Sequence, residues 1–212
     1  MTPIPIRAGR SLAAVAAAAV IAGAALASCA GPPTTERPAG SPATSAAEAT
    51  GAVAHNAADI GFAQMMIPHH RQALELAELV PGRSDDAAVI TLASTISAEQ
   101  QPEIDTMSAL LAAWGVDPEA PAVEHDGHGG MSGPMAGMVD ETTMARLGEL
   151  RGRPFDTLWL QSMISHHRGA IEMARVEVAD GQNDEMRALA RGVITAQQAE
   201  IDQMQRMLEE GS

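Results

Sequence analysis

The sequence predicts an all-helical protein, a four-helix bundle built from two repeated antiparallel helix hairpins. One pattern occurs twice in the chain, at an offset of 97 residues. Apolar residues recur at helical spacing in both copies, and no stretch shows the regular alternation of a strand. Short turns join the helices within each copy, so the two hairpins can bury their apolar faces against each other as a bundle.

The first part of each copy is a His-His segment. Residues 59–77 and 156–174 agree at ten of 19 positions, and both contain Met-x-x-His-His-Arg. At about 100° per residue, Met66, His69 and His70 share the apolar face of the predicted helix. The other side of this helix carries a polar set: Gln64, Arg71, Gln72, Glu75 and Glu78. The second copy repeats the inward set with Met163, His166 and His167.

The second part of each copy reads Gln-Gln-x-Glu-Ile-Asp-x-Met. Residues 100–107 align with residues 197–204 at the same offset and without an insertion. The helical period turns the first Gln, the Glu and the Met of this segment toward the apolar face. Each half therefore supplies two helices whose inward faces carry polar side chains.

Turn signals mark the ends of these helices. Pro81-Gly82 ends the first helix, and Ser84 to Asp86 can cap the second. Gly115 to Pro121 ends the second helix, and Asp180-Gly181 separates the last two. A short extra helix is expected at residues 140–150, before the second copy.

The N-terminal segment, residues 1–28, is typical of a bacterial lipoprotein signal peptide. Arg7 and Arg10 form its positive region, and an apolar run follows at residues 12–26. The run ends in Leu-Ala-Ser-Cys29, which resembles a lipobox. We therefore predict lipidation at Cys29 and a lipid anchor on the extracytoplasmic side of the membrane, in the cell envelope.

The remainder divides into a tether and one folded domain. Residues 29–55 are rich in Pro, Ala, Thr, Ser and Gly, which is typical of a flexible tether. The predicted bundle domain covers residues 56–210. Within it, repeat one spans 56–116, a Met/His-rich linker spans 117–139, and repeat two spans 140–210.

Composition excludes several classes of function. The formal net charge is −14, and the chain has only two Trp, two Phe and no Tyr, so neither phosphate binding nor base stacking is expected, and we predict no nucleic-acid partner. A single Cys excludes an internal disulfide and a multi-thiolate metal site. The sequence also lacks the nucleophile elbow, His-Glu-x-x-His and phosphate-loop motifs, so no hydrolase is expected.

The inward faces carry the candidate metal ligands of the bundle. Imidazole and thioether groups are borderline and soft ligands, and burying polar groups without partners is costly. Metal binding would satisfy these groups, and internal pairing of the side chains would satisfy them as well. The candidates from both copies are Met66, His69, His70, Glu103, Met107, Met163, His166, His167, Glu200 and Met204.

The linker contains a second group of candidate ligands. Its Met and His residues lie among Gly, Ser and Pro, a composition that does not form a core, so a packing role does not account for them. Such a segment suits Cu(I), and its His residues also allow Cu(II). An irregular loop with incidental Met residues is the alternative. The linker candidates are His125, His128, Met131, Met135 and Met138.

The motif Met-Ile-x-His-His-x-x-Ala, at residues 66–73 and again at 163–170, resembles the signature of the DUF305 (CopM-like) family. The resemblance covers about residues 55–210. It implies a ferritin-like four-helix fold in a secreted bacterial protein, and a link to copper for some members. Its matching positions are Met66, His69, His70, Met163, His166 and His167. The linker ligands are not part of this signature.

Together these features predict an extracytoplasmic lipoprotein that binds copper, as Cu(I) or Cu(II), for sequestration or delivery. Zinc and iron stay open as metals, and a partner protein stays open. One alternative is a di-metal oxidoreductase, although that class uses about four carboxylates and Glu-x-x-His motifs. The other is a structural or interaction lipoprotein without metal. No catalytic residue is predicted.

Overall fold

The computed structural model describes residues 54–120 and 135–210. Within these ranges the chain forms five helices and no strand, which confirms the predicted all-helical fold class. The helices are α1 (Ala57–Glu78), α2 (Ala87–Ala113), α3 (Glu141–Glu149), α4 (Gly152–Asp180) and α5 (Asp184–Glu210). None of them is long and apolar enough to cross a membrane.

Several sequence predictions lie outside the described residues. They are the signal peptide at 1–28, the lipidation site Cys29, the tether up to residue 53, and the linker ligands His125, His128 and Met131. The last residues of the predicted tether are described, and they contact the bundle. The His55 ring stacks on the Trp114 ring at a centroid distance of 4.4 Å, and the Ala54 carbonyl accepts a hydrogen bond from Asn183.

The four long helices form two hairpins, one from each copy of the repeat. Helix α1 packs against α2, and α4 packs against α5, while the contact between α1 and α4 joins the hairpins. The short helix α3 packs against α4 and corresponds to the extra helix predicted at 140–150. Because α1 and α4 both carry the His-His motif, the repeat brings the two motifs to the centre of the bundle.

Capping side chains mark the start of α1, α2 and α5, whereas α4 begins after Arg151 without a side-chain cap. Asn56 and Asp59 form a capping box at the start of α1, and the Asp86 side chain accepts from the Ala88 N–H at 2.8 Å to cap α2. Asn183, the equivalent of Asp86 in the second copy, accepts from the Met186 N–H at 2.8 Å. Each such cap stabilises its helix by about 1 kcal/mol.

The core also joins the two hairpins through a buried indole. Trp159 on α4 is fully buried, and its Nε1–H donates to the Leu76 carbonyl on α1 at 2.8 Å. The equivalent position in the first copy is Phe62, which is buried but has no polar group to donate. Aliphatic and Met side chains of all four long helices fill the remaining interior.

Candidate metal centre

The four histidines of the repeated motif lie together inside the bundle. All four are completely buried. The rings of His69 and His166 contact each other across the α1–α4 interface, with centroids 3.7 Å apart and a tilt of 37° between their planes. The ring centroids of His166 and His167 lie 6.3 Å apart. The two copies therefore form one histidine cluster and not two separate pairs.

Two of these histidines pair with glutamates of the second segment. His70 Nε2 lies 2.7 Å from Glu103 Oε2, and His167 Nε2 lies 2.8 Å from Glu200 Oε2. An ionised carboxylate only accepts hydrogen bonds, so the Nε2 atom of each ring carries the hydrogen. The structure thus brings both predicted glutamates to the histidines, each through one ring nitrogen.

A third histidine pairs with the main chain of the linker. His69 Nε2 lies 3.1 Å from the carbonyl oxygen of Ala136, which sits between Met135 and Met138. Nothing in the sequence predicts this contact, because Ala136 carries no distinctive side chain and lies 67 residues away in the chain. It connects the described end of the Met/His-rich linker to the histidine cluster.

Several buried polar atoms of the cluster have no hydrogen-bond partner among the described residues. They include Nδ1 of all four histidines, Nε2 of His166 and Oε1 of Glu200. The side-chain amides of Gln100 and Gln197, from the repeated second segment, are in the same state. Each such group costs about 1–3 kcal/mol when it stays unpaired, and a concentration of them calls for a bound ion or ordered water. Imidazole nitrogens beside thioether-bearing helices fit a soft or borderline metal ion.

Burial keeps two of the rings neutral. Burial and then the charge of His70 lower the pKa of His69 to about 3. Burial, followed by the charges of His69 and His167, lowers the pKa of His166 well below its ordinary value, opposed weakly by a backbone group of His69. A neutral imidazole has a free lone pair, which is the form that binds metal.

The four predicted bundle methionines are also fully buried. Met66 and Met107 belong to one hydrophobic cluster, and Met163 and Met204 belong to another. On α1, Met66 lies one turn before His69, so their side chains share one patch, and the second copy repeats this spacing. Their apolar surroundings also account for them as core residues.

The predicted linker methionines that are described lie beside the cluster. Met135 and Met138 are half-buried, and the Met138 N–H donates to the Met135 carbonyl at 3.1 Å to close a turn around Ala136 and Gly137. This turn is the part of the linker that contacts His69.

Within the part of the chain that the structure describes, no three His, Cys, Asp and Glu side chains are arranged to hold a metal ion. Their contacts in the cluster are pairwise, namely His70 with Glu103, His167 with Glu200, and His69 with His166. A groove between α2 and α5 reaches this region from the surface, and Glu200 and Glu99 line it. Burial, followed by the charges of Glu200 and Glu103, raises the pKa of Glu99.

Comparisons with known proteins agree with this fold. The family model "Domain of unknown function (DUF305)" matches residues 59–208. One similar crystal structure is that of a "putative secreted protein DUF305" from Streptomyces coelicolor. Its sequence is 35% identical to this chain and its TM-score is 0.67, and the match covers 73% of this chain and 93% of that one. A DUF305 fragment from Deinococcus radiodurans is 32% identical with a TM-score of 0.62, covering 72% of this chain and 96% of that one.

A further similar structure carries a metal. CopM in a Cu(II)-bound form is 28% identical to this chain with a TM-score of 0.59, and the match covers 73% of this chain and 97% of CopM. CopM is also described in Cu(I)-bound and Ag-bound forms. No curated protein matches the chain. The family match covers more than half of the chain, and the resemblance inferred from the repeated motif is confirmed: the protein belongs to the DUF305 family.

Proposed function

We propose that this protein binds copper at the buried histidine cluster and sequesters it or hands it on. One observation carries the proposal: four buried histidines of two repeats meet in one cluster, and each has an Nδ1 atom without a hydrogen-bond partner among the described residues. The copper-bound and silver-bound forms of the similar protein CopM support the choice of metal. Copper is here the cargo of the protein.

The donor set in this proposal combines imidazole with thioether. The histidines are His69, His70, His166 and His167, and the methionines are Met66, Met107, Met163 and Met204. Such a set suits Cu(I), and the imidazoles also allow Cu(II). Imidazole binds zinc and iron as well, so the thioethers are the donors that favour copper. Glu103 and Glu200 belong to the site through the rings that they hold, as carboxylates commonly orient metal-binding histidines.

We propose that the linker contributes additional donors. Met135 and Met138 flank the residue whose carbonyl contacts His69. His125, His128 and Met131 precede them in the same Gly-rich segment. A chain of this composition can reach a metal at the cluster surface and pass it on, because its thioethers are weak and exchangeable ligands.

We further propose that the protein acts at the cell envelope as a lipoprotein. A signal peptide at 1–28, lipidation of Cys29 and a tether up to residue 55 would hold the bundle outside the membrane. The secreted relative supports an extracytoplasmic address. Cys29→Ala should move the protein from the membrane fraction to the soluble fraction, and persistence in the membrane fraction would contradict the lipid anchor.

Metal retention tests the copper proposal. Tag-free mature protein, starting at residue 30, is exposed to Cu(I), Cu(II), Zn(II) and Fe(II) and examined by native mass spectrometry. The disrupting variant is His69→Leu/His166→Leu, chosen because neither ring is paired with a carboxylate that its loss would strand. His55→Gln is the matched control, since His55 lies at the start of α1 against Trp114.

Copper should be retained by the wild type and the control and reduced in the double variant. A third variant replaces the linker donors, with Met131, Met135 and Met138 changed to Leu and with His125 and His128 changed to Gln. Loss of copper only in this variant would move the site to the linker. Failure of the wild type to retain either copper ion would overturn the proposal.

A further inference from the structure

The last residues of the linker, 135–139, form a short segment that we name the clasp segment. Its C-terminal end is fastened to α1 by a single side chain. Gln72 Nε2 donates to the Val139 carbonyl at 2.8 Å, and the Val139 N–H donates to Gln72 Oε1 at 2.8 Å. Both backbone groups of Val139 are therefore fixed by one amide, which is only half-buried on the helix.

The other side of the clasp segment lies directly on α4. Gly137 has a φ of 81°, and a Cβ there would come within 2.5 Å of the Ser165 carbonyl oxygen and 3.0 Å of that of His166. A Cβ at Gly169 would overlap the Ala136 carbonyl. Only glycine permits this approach at both positions, so the backbone of the clasp segment contacts α4 within the His-His motif itself.

The repeat explains why the clasp segment can bind on one side only. Gln72 on α1 and Gly169 on α4 occupy equivalent positions, each two residues after the second histidine of its motif. The first copy provides the amide that holds the segment, and the second copy provides the space for it. This difference, directly after His-His-Arg in both copies, breaks the symmetry of the cluster.

The contact has a chemical consequence for His69. The Ala136 carbonyl can only accept a hydrogen bond, so His69 Nε2 at 3.1 Å must carry the hydrogen. In a neutral ring the lone pair then lies on Nδ1, which has no hydrogen-bond partner among the described residues. His166, the equivalent residue, has no such contact at either ring nitrogen.

We propose that the clasp segment fixes the tautomer of His69, with hydrogen on Nε2 and the lone pair on Nδ1, and that Gln72 is the positioning residue that holds it there. Nδ1 is then the atom of His69 that would face a metal, as in His70 and His167, whose Nε2 atoms are held by glutamates. The same contact keeps Met135 and Met138 beside the cluster. The metal part of this inference rests on the proposed function, and the tautomer part does not.

The tautomer is measured by long-range proton–nitrogen NMR correlation on metal-free mature protein labelled with nitrogen-15. The wild type should show His69 with hydrogen on Nε2. Gln72→Ala removes both hydrogen bonds to Val139, so His69 should populate a mixture of tautomers and the Val139 amide should exchange faster with solvent. Gln161→Ala, at an exposed position of α4, is the matched control and should change neither signal.

Two further variants keep the test decisive if Gln72→Ala folds poorly. Gln72→Glu keeps an acceptor for the Val139 N–H and removes the donor to its carbonyl, so its effect should be smaller in the same direction. Gly169→Ala displaces the clasp segment from the opposite side without touching Gln72 and should give the same mixed tautomer. An unchanged His69 spectrum in all three variants, or hydrogen on Nδ1 in the wild type, would overturn the proposal.

Copper affinity provides the second readout. Competition with a Cu(I) chelator should show about a 10- to 100-fold loss for Gln72→Ala, the usual effect of removing a group that orients a ligand, and no loss for Gln161→Ala. If the wild type binds no copper, the proposed function fails, but the NMR result still tests whether the clasp segment fixes the tautomer of His69. If copper binds and none of the three variants changes the tautomer or the affinity, the clasp proposal fails while the proposed function stands.

Discussion

The two copies of the His-His motif carry the same histidines and surround them differently. His70 and His167 have the same environment in both copies, because each is held through Nε2 by the glutamate 33 residues later. His69 and His166 differ, since a linker carbonyl holds the first and nothing described holds the second. Duplication thus supplies a symmetric set of donors, and the linker between the copies makes one of the four rings unlike the others.

The two copies of the repeat also differ outside the histidine cluster. Trp159 takes the place of Phe62, and Glu177 takes the place of Val80. Trp159 joins the two hairpins through the Leu76 carbonyl, and Glu177 lies buried close to Asp59 at the start of α1. At these two positions the second copy carries polar groups that the first copy lacks, and substitutions toward the first copy can test what they contribute.

The largest expected effect is at Trp159. Trp159→Ala removes a fully buried ring and its hydrogen bond to Leu76, so it should destabilise the protein by about 3–5 kcal/mol. Trp159→Phe, which copies the first repeat, keeps much of the ring and removes the indole donor, so the Leu76 carbonyl keeps only its bond from the Leu79 N–H at 3.3 Å. This variant should cost about 1–2 kcal/mol. Chemical denaturation measures both, and no loss for Trp159→Phe would show that the hydrogen bond is immaterial.

The pair of Glu177 and Asp59 predicts a pH dependence that the first copy lacks. Burial, followed by a hydrogen bond and charge from Asp59, raises the pKa of Glu177 from 4.5 to about 8. The folded chain therefore binds this proton more tightly than the unfolded chain, and protonation favours folding. The contribution is complete below about pH 4.5 and is lost as the pH rises through about 8.

Glu177→Gln should remove this pH dependence. Each tenfold difference in proton affinity is worth about 1.4 kcal/mol, so the wild type should lose on the order of a few kcal/mol relative to the variant between pH 5 and 9. Thermal unfolding across this range measures the difference. Val80→Ala, at the equivalent position, should lower stability equally at every pH. Parallel curves for wild type and Glu177→Gln would contradict the raised pKa.

The two glutamates of the cluster provide a third comparison. Glu200→Leu and Glu103→Leu each leave a buried histidine Nε2 without its partner, at a cost of about 1–3 kcal/mol. Glu103 is 23% exposed and Glu200 is 9% exposed, so water can replace the first carboxylate more readily. Denaturation should therefore show the greater loss for Glu200→Leu. The reverse order would mean that solvent access does not set the cost.

Much of this fold could be predicted because the sequence contains the same helical pattern twice. The offset of 97 residues, the helical period and the turn signals at Pro81-Gly82 and Asp180-Gly181 gave the four long helices in their observed order. The same repetition identified the histidines and glutamates that meet in the centre. A side chain that recurs on the inward face of two equivalent helices is brought to its copy when those helices pack together.

The contacts that break the repeat were beyond prediction. Gln72 lies on the polar side of the helical period, and its partner is a main-chain group 67 residues away, for which a sequence carries no signal. The helical period predicted Gln64 on the outer side of α1, and this was wrong, because its side chain is only 7% exposed. Helix α1 packs against both α2 and α4, so its buried face is wider than a single partner helix would require. The one sign of this asymmetry in the sequence was that the two copies differ at Gln72 and Gly169, directly after the repeated His-His-Arg.

The smallest expected effect compares two equivalent helix caps. Asp86 caps α2 at an exposed position, so Asp86→Ala should cost about 1 kcal/mol through the loss of its bond to the Ala88 N–H. Asn183 caps α5 and also donates to the Ala54 carbonyl at 3.1 Å from a buried position, so Asn183→Ala should cost more. Denaturation of the two variants measures the difference, which is the contribution of the contact between the start of the domain and the second copy. Equal costs would mean that this contact contributes nothing to stability beyond the cap itself.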